Sequence, residues 1–296
     1  MQVVGRSHEV ELLVAALDCG AHVLLEGPPG TGKTTVLRSV ATAAETPFVF
    51  VEGNAELTPG RLVGHFDPAQ VLVEGYTPDV FVDGPLVEAL RSGALLYVEE
   101  VNRVPEETLN VLITVMSEGE LHVPRLGRIA AAPGFRLVAA MNPYDAVGTA
   151  RISAAVYDRC CRIRMGYQSA ADESAVVALR SAEVPDAWRD QVVDLVRRTR
   201  EHADVRVGSS VRGAIDLVRL ADALATRRGT GITWRTGLDA ALVALSGRVR
   251  MQESSPRDPE AVIRELYEAV FGAEPSDEAA DDTDGADGDG GAPGGA

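Results

Sequence analysis

The chain has 296 residues, of which 46% are hydrophobic and 24% charged, so it is long enough for one large globular domain or two ordinary ones. Its formal net charge of −16 argues against a nucleic-acid-binding protein that depends on a basic face. It has no apolar run of about 18 residues, and its charged start lacks the apolar segment of a signal peptide. The sequence therefore predicts a cytoplasmic protein that has neither nucleic acid nor membrane as a partner.

Short apolar runs alternate with helical stretches in the first part of the chain. The runs that predict strands are 22–27, 47–53, 93–101 and 134–143, with 160–167 as a fifth candidate. Helical stretches lie between them, for example "DGPLVEALRSG" and "VPEETLNVLITVMSEG". This alternation predicts an α/β core over residues 1–166, with a parallel sheet that is covered by helices on both faces.

The pattern becomes helical from about residue 167. Residues 185–203 repeat apolar side chains three and four positions apart, and residues 209–229 end on arginines and a glycine, which is a helix stop. We therefore predict a small all-α lid domain over residues 167–272. Residues 273–296 contain eight acidic and no basic residues and little to bury, which predicts a disordered acidic tail. The rest of the chain remains acidic, with 36 acidic against 28 basic residues.

The cysteines and histidines give no sign of a metal centre. Cys19 stands alone, Cys160 and Cys161 are adjacent, and the five histidines are scattered without the spacing of metal ligands. Because adjacent cysteines rarely bridge each other, we expect the three cysteines to be small buried residues.

A glycine-rich stretch follows the first predicted strand and opens the first helix. In "GPPGTGKTT", Gly27, Gly32, Lys33 and Thr34 fit the P-loop pattern G-x-x-x-x-G-K-[ST]. Such a loop points backbone N–H groups at phosphates, and the helix N-terminus adds partial positive charge. Lys33 is expected to contact the β- and γ-phosphates, and the hydroxyl group of Thr34 to bind Mg²⁺. The residues predicted to bind the nucleotide here are Gly27, Pro28, Pro29, Gly30, Thr31, Gly32, Lys33, Thr34 and Thr35.

Lys33 is the only lysine in the chain, whose other 27 basic residues are arginine. A compact ammonium on a flexible stem fits a tight nest of backbone amides, whereas guanidinium is a broad planar fork. The N-K-x-D motif that specifies guanine in GTPases needs a second lysine, so the sequence favours ATP, with Mg²⁺, as the nucleotide.

Polar residues end the third and fourth predicted strands. In "ALLYVEE", Glu99 is expected to hold Mg²⁺ through water, where most such strands have aspartate, and Glu100 is expected to activate the attacking water. In "MNP", Asn142 is placed to hydrogen-bond the γ-phosphate or that water. The plainer alternatives are two surface acids at a strand end and an Asn-Pro turn.

Together these motifs resemble those of the AAA+ ATPases, over roughly residues 3 to 250. More narrowly, "DGPLVEALRSGALLYVEEVNRVPEETLNVLITVMSEGEL" is similar to the MoxR group of the helix-2-insert clade, which is related to GvpN-like and magnesium-chelatase-type ATPases. Members of the group carry "EINR" where this chain has "EVNR", with Val101 in place of the common isoleucine. The resemblance implies a P-loop NTPase core followed by a helical lid.

The resemblance implies three further site residues. Arg159, in "AAVYDRCCRI", becomes the candidate arginine finger that reaches the γ-phosphate of a neighbouring subunit; the alternative is a surface pair with Asp158. Arg212, in "GSSVRGAIDL", becomes the candidate sensor 2 residue, or else a solvated arginine in the first turn of a helix. Gly5, in "VVGRSHEVELL", falls in the turn of the segment that covers the adenine.

Two hairpin-like stretches, residues 66–86 and 119–137, lie where this clade has its helix-2 insert and its pre-sensor-1 hairpin. In related rings such segments project toward the pore or a partner. The alternative is that both are ordinary surface hairpins.

The resemblance implies an ATP hydrolase that forms a homo-oligomeric ring, expected to be a hexamer, and remodels, assembles or activates a protein client in the manner of a chaperone. A protein with a von Willebrand A domain is one such client. Two alternatives stay open. One is a GvpN-like gas-vesicle assembly ATPase or a chelatase motor subunit; the other is a nucleotide-gated binding module with little hydrolysis, to which Glu99 in place of aspartate points.

Overall fold

A computed structural model describes residues 3–143, 153–181 and 184–275. The chain divides into two compact units, with the division between Asp172 and Glu173, and each unit is described separately here. The predicted acidic tail lies outside the described residues from position 276 onward. None of the helices in the described part of the chain is long and apolar enough to cross a membrane.

The first unit is built from alternating strands and helices. Its strands are β1 (His22–Glu26), β2 (Phe48–Glu52), β3 (Gly64–Phe66), β4 (Phe81–Asp83), β5 (Leu95–Glu99), β6 (Glu120–Val123), β7 (Gly127–Ala130), β8 (Arg136–Met141) and β9 (Cys160–Arg164). Its helices are α1 (Ser7–Asp18), α2 (Lys33–Ala43), α3 (Pro59–Val63), α4 (Pro68–Glu74), α5 (Pro85–Ser92), α6 (Glu106–Glu118) and α7 (Ala154–Arg159).

Five of these strands form one parallel sheet in the order β2-β5-β8-β1-β9. The predicted α/β fold of the P-loop type is therefore confirmed, including the fifth strand. Successive strands run in the same direction, so the carboxyl ends of β1, β5 and β8 lie at the same edge of the sheet.

The apolar runs form strands because both faces of the sheet are buried. Leu24 packs into a cluster on one face with Leu90 of α5, whereas Val23 and Leu25 pack into a cluster on the other face with Leu37 of α2. Since neighbouring side chains of a strand point to opposite faces, a strand between two helical layers needs an apolar residue at every position.

The second unit is mainly helical. Its helices are α8 (Ala170–Ala178), inside which the division falls, α9 (Asp186–Glu201), α10 (Val211–Arg228), α11 (Trp234–Leu245) and α12 (Pro259–Phe271). A short antiparallel pair, β10 (Val205–Val207) and β11 (Arg250–Met251), accompanies them. Buried side chains from α9 to α12 form one apolar cluster, which is the core of this unit.

A buried acid ties three parts of the second unit together. The carboxylate of Glu173 on α8 is 3% exposed and lies 2.8 Å from Arg200 and 3.3 Å from Arg197, both on α9. Arg200 also donates through Nε to the backbone oxygen of Ser209, at 2.6 Å. This network fixes the turn that leads into α10, the helix on which Arg212 lies.

Two expectations about local structure were wrong in part. Cys19 and Cys161 are exposed and only Cys160 is half-buried. Cys160 and Cys161 differ because they are successive residues of the edge strand β9, where one of two neighbouring side chains faces outward. Residues 66–86 are not a plain hairpin: β3 and β4 pair antiparallel, but α4 lies between them. The second stretch does form a hairpin, of β6 and β7.

Candidate nucleotide-binding site

The glycine-rich loop joins β1 to α2 at the carboxyl edge of the sheet. Gly30 and Gly32 have φ angles of +75° and +87°, which are left-handed conformations that L side chains rarely adopt. The turn at Gly32 lets α2 begin at Lys33, so the unbonded N–H groups of its first turn face the loop. A loop of this shape is an anion-binding cradle.

Two close contacts fix the loop against the rest of the first unit. A Cβ atom on Gly27 would lie 2.1 Å from the backbone oxygen of Met165, so no larger residue fits there. The buried guanidinium of Arg6 donates to the backbone oxygens of Thr31, at 3.0 Å, and Gly166, at 2.6 Å. Sequence reasoning missed Arg6, for which the only signal was its place beside Gly5.

The ammonium of Lys33 lies against the loop itself. Its Nζ atom donates to the backbone oxygens of Gly27 and Pro28, at 2.8 Å each. An ammonium has three hydrogens and no acceptor, so phosphate oxygens at this loop would compete with the carbonyls for the same donors.

Thr34 and Glu99 meet although 65 residues separate them in sequence. The Thr34 hydroxyl donates to Oε1 of Glu99 at 2.9 Å, and it lies 3.1 Å from the hydroxyl of Tyr97. All three groups are oxygen ligands, the kind that Mg²⁺ prefers. Among the described residues no group of three or more His, Cys, Asp or Glu side chains could hold a metal ion by itself. The site therefore fits an ion that one or two protein groups share with the phosphates of a nucleotide.

Glu100 has an unusual backbone and an ion-pair partner. Its φ angle is +51°, uncommon outside glycine, and its carboxylate lies 2.8 Å from the guanidinium of Arg103. The residue after β2 contacts this turn: the N–H of Gly53 donates to the backbone oxygen of Glu99 at 2.7 Å. A Cβ atom on Gly53 would lie 2.5 Å from the backbone oxygen of Glu100. Sequence reasoning missed Gly53 and the pairing with Arg103.

We expect Gly53→Ala to reduce ATP turnover by about 100-fold while nucleotide affinity changes little. The added methyl group displaces the backbone that carries Glu100, the predicted base, and a misplacement of about 1 Å at such a group can have an effect of that size. Phosphate release and nucleotide affinity measured on the same preparation test this. Gly60→Ala in α3 is the matched control, because a Cβ atom added there has room: Thr58 Oγ1 would lie 4.0 Å from it. Equal turnover in the two variants would contradict the prediction.

The remaining predicted site residues of the first unit lie in several places. Asn142 follows the last residue of β8, half-buried, at the same edge of the sheet as Glu99. Thr35 is half-buried in the first turn of α2, and Pro29 is exposed on the loop. Gly5 has a φ angle of +63°, and a Cβ atom there would lie 2.4 Å from the carboxyl carbon of Asp172.

The two candidate γ-phosphate arginines are in different units. Arg159 ends α7, where its side chain bonds Ser117 and the backbone oxygen of Ala155 and lies 3.8 Å from Asp158. The surface pair named as the alternative is thus present, as one of several contacts. Arg212 is exposed in the first turn of α10, in the second unit.

Residues 66–86 and residues 119–137 of the first unit touch each other. The guanidinium of Arg125, in the β6–β7 turn, lies 3.6 Å from the ring centre of Tyr76, which follows α4. Tyr76 also packs edge-on against Phe66 of β3, at 5.1 Å between ring centres. On α4, Leu72 and Val73 are 89% and 85% exposed. Helix α4 therefore presents an apolar surface to solvent.

Comparison with known sequences places this site in a family. A family model for the AAA domain, dynein-related subfamily, matches residues 22–160, a range that contains the loop, Glu99, Glu100 and Asn142. An uncharacterized protein of Staphylococcus haemolyticus is 32% identical over 209 residues, which are 69% of this chain and 79% of that protein. An uncharacterized protein of Staphylococcus aureus is 30% identical over 220 residues, 72% of this chain and 83% of that protein.

Solved structures share the fold at low sequence identity. A candidate ATPase from Cytophaga hutchinsonii matches with a TM-score of 0.50 and 21% identity, covering 89% of each chain. The RuvB Holliday junction branch migration motor of Thermotoga maritima matches with a TM-score of 0.55 and 20% identity, over 81% of this chain and 70% of that one. NtrX from Brucella abortus, solved in complex with ATP, matches with a TM-score of 0.51 and 20% identity, over 76% and 53%. The solved structures show the shared fold, and the family match together with the relatives in Staphylococcus shows that the chain belongs to the AAA domain family.

Proposed function

We propose that this protein is a MoxR-like ATPase that binds and hydrolyses ATP with Mg²⁺ and uses the cycle to remodel, assemble or activate a protein partner. The observation that carries the proposal is the hydrogen bond between Thr34 and Glu99, which joins the phosphate loop to the acidic end of β5. A homo-oligomeric ring, expected to be a hexamer, would let Arg159 reach the nucleotide of the neighbouring subunit.

Each residue of the site has a role in this proposal. The loop amides and Lys33 bind the phosphates, and Thr34 and Glu99 hold Mg²⁺, which when bound offsets charge on the phosphate oxygens. Glu100 orients the attacking water and accepts its proton. Asn142 donates its amide N–H to the γ-phosphate region, and Arg212 responds to the nucleotide from the lid.

The exposed surface of α4 supports a protein as the partner. Burial of Leu72 and Val73 against a partner would lower the free energy by about 25 cal/mol for each Å² of apolar area removed from water. An acidic first unit with such a surface suits another protein better than a nucleic acid. A protein with a von Willebrand A domain is the client that the MoxR resemblance suggests.

One observation favours the second candidate, a nucleotide-gated binding module with little hydrolysis. The carboxylate of Glu100 lies 2.8 Å from the guanidinium of Arg103, so one of its oxygens faces a protein cation rather than a water molecule. Phosphate release measured with and without a candidate partner separates the two: a rate that stays near that of Glu100→Gln under both conditions favours the module.

The proposal is tested by the affinity of the full chain for a fluorescent ATP analogue, with and without Mg²⁺. We expect Lys33→Ala to weaken binding by about 100-fold, since it removes charge-assisted hydrogen bonds to phosphate. Arg38→Ala is the control, because it removes one positive charge from the exposed side of the same helix. If the wild-type chain showed no affinity for adenine nucleotides, alone or as an assembly measured by light scattering, the proposal would be wrong.

A further inference from the structure

The buried guanidinium of Arg6 contacts the phosphate loop from the interior of the first unit. Arg6 is 6% exposed and immediately precedes α1. Besides the loop oxygen of Thr31, it donates to the backbone oxygen of Gly166, which follows β9, and it pairs with Glu9 of α1. Removing a guanidinium from water is costly, and the carboxylate of Glu9 is its one acidic partner among the described residues. Packing alone therefore does not account for a cation at this position.

The contact with the Thr31 oxygen fixes the orientation of one peptide plane in the loop. A trans peptide is planar, and its C=O and N–H groups point in opposite directions. The described residues contain no cis peptide bond, so the N–H group of Gly32 points away from the oxygen that Arg6 holds. The guanidinium thus turns the Gly32 amide away from the buried side of the loop.

Other contacts hold the same part of the loop in place and leave one side of it open. The Thr31 hydroxyl donates to the backbone oxygen of Pro28 at 3.0 Å, so Thr31 is fixed by its side chain as well as by its carbonyl group. The Gly32 oxygen accepts the N–H of Val36 at 2.9 Å. A Cβ atom built on Gly32 would meet no described atom within 4 Å, so the loop borders open space there. An anion can therefore approach the Gly32 amide.

The charge of Arg6 also strengthens that amide as a donor. A cation at the carbonyl oxygen of a peptide polarises the whole amide group, so the N–H at its other end becomes a better hydrogen-bond donor. Water screens this effect little, because Arg6 is buried. The carboxylate of Glu9 opposes the effect, since it pairs with the same guanidinium. The influence of Arg6 on an anion at the loop is therefore carried by one peptide group, without direct contact.

We infer that Arg6 is a positioning residue for phosphate: its guanidinium orients and polarises the peptide between Thr31 and Gly32, whose N–H group then donates to the bound anion. The inference rests on the proposed function, since it concerns phosphate binding at the same loop. It gives the segment before α1 a part in phosphate binding, in addition to the adenine contact that the family resemblance implies for the segment around Gly5.

The test measures how ADP and inorganic pyrophosphate displace a fluorescent ATP analogue from the full chain in Arg6→Gln and Arg6→Lys. We expect Arg6→Gln to weaken both competitors about 10-fold, since each loses a strengthened hydrogen bond to phosphate. Arg6→Lys keeps a cation that can donate to the Thr31 oxygen, so its affinities should stay within about 3-fold of the wild-type values. Because pyrophosphate has no base, an equal loss for both competitors places the effect at the phosphates.

Arg136→Gln is the matched control. Arg136 also donates to a backbone oxygen, that of Phe135 at 2.6 Å, but it is the first residue of β8, at the other end of the sheet from the loop. Both affinities should be unchanged in this variant. Glu9→Gln is a further variant: it keeps the two carbonyl contacts of Arg6 and removes the opposing charge, so pyrophosphate should bind as tightly as to the wild type or more tightly.

The inference is wrong if Arg6→Gln leaves both affinities at the wild-type values, weakens ADP but not pyrophosphate, or has no more effect than Arg136→Gln. It is also wrong if Arg6→Lys loses as much as Arg6→Gln, if Glu9→Gln weakens pyrophosphate, or if pyrophosphate does not displace the analogue from the wild-type chain. Should circular dichroism show that Arg6→Gln is unfolded, Glu9→Gln decides by the same criterion. A wild-type chain that binds no adenine nucleotide overturns the proposed function, and this inference with it; normal wild-type binding with an unaffected Arg6→Gln overturns only the inference.

Discussion

Glu100→Gln will leave ATP affinity unchanged and reduce phosphate release by about 10²–10⁴-fold, the usual contribution of a positioned general base. Glutamine keeps the size of the side chain but cannot accept the proton of the attacking water. The residues predicted to bind the nucleotide do not contact Glu100: Lys33 bonds a backbone oxygen of the loop, and Thr34 bonds Glu99. Affinity and turnover should therefore separate in this variant.

Glu106→Gln controls for the loss of one negative charge nearby, because Glu106 is exposed in the first turn of α6, six residues further along. Steady-state phosphate release under saturating ATP and Mg²⁺ measures the effect, beside the affinity for a fluorescent ATP analogue. An unchanged rate in Glu100→Gln would remove Glu100 as the base and leave its pairing with Arg103 as a structural contact only.

Glu173→Gln will lower the free energy of unfolding of the helical unit by about 3–5 kcal/mol, the usual loss when one partner of a buried ion pair is removed. Glutamine fits the space, but two arginines then lose the charge that compensates them. The side chain of Arg200 is only 10% exposed, so water cannot replace the carboxylate.

Asp194→Asn provides the control for this second prediction. Asp194 pairs with Arg198 on the same helix, α9, at 2.9 Å, but both side chains are more than 40% exposed, so the loss should stay below about 1 kcal/mol. The two tryptophans of the chain, Trp188 and Trp234, both lie in the helical unit, so their fluorescence during urea unfolding reports on this unit. Equal losses in the two variants would show that the Glu173 network contributes no more than a surface pair.

The sequence predicted the sheet and the main residues of the site because their signals are local. Apolar runs mark strands that are buried on both faces, and the loop pattern is confined to eight consecutive residues. Parallel strands then bring Glu99 to the loop, so its approach to Thr34 follows from topology. The fold class could be stated before any coordinate was known.

The supporting residues could not be predicted, since they act through contacts between distant parts of the chain. In the sequence, Tyr97 looks like one more apolar residue of a strand. Its hydroxyl has a side-chain partner because α2 brings Thr34 Oγ1 within 3.1 Å. Gly53 is required only because β2 and β5 pair in a register that places the turn at Glu100 against it. For α4 a local signal did exist: Asp67 caps the helix and Pro68 occupies its first turn.

The pairing of Lys33 with two loop carbonyls has a practical consequence, because no other side chain in the sequence carries a primary amine. An acylating reagent such as a succinimidyl ester has one side-chain target, at the phosphate cradle, besides any free α-amino group. Protection of that single position would report nucleotide occupancy directly, by mass spectrometry of one peptide, without an engineered label.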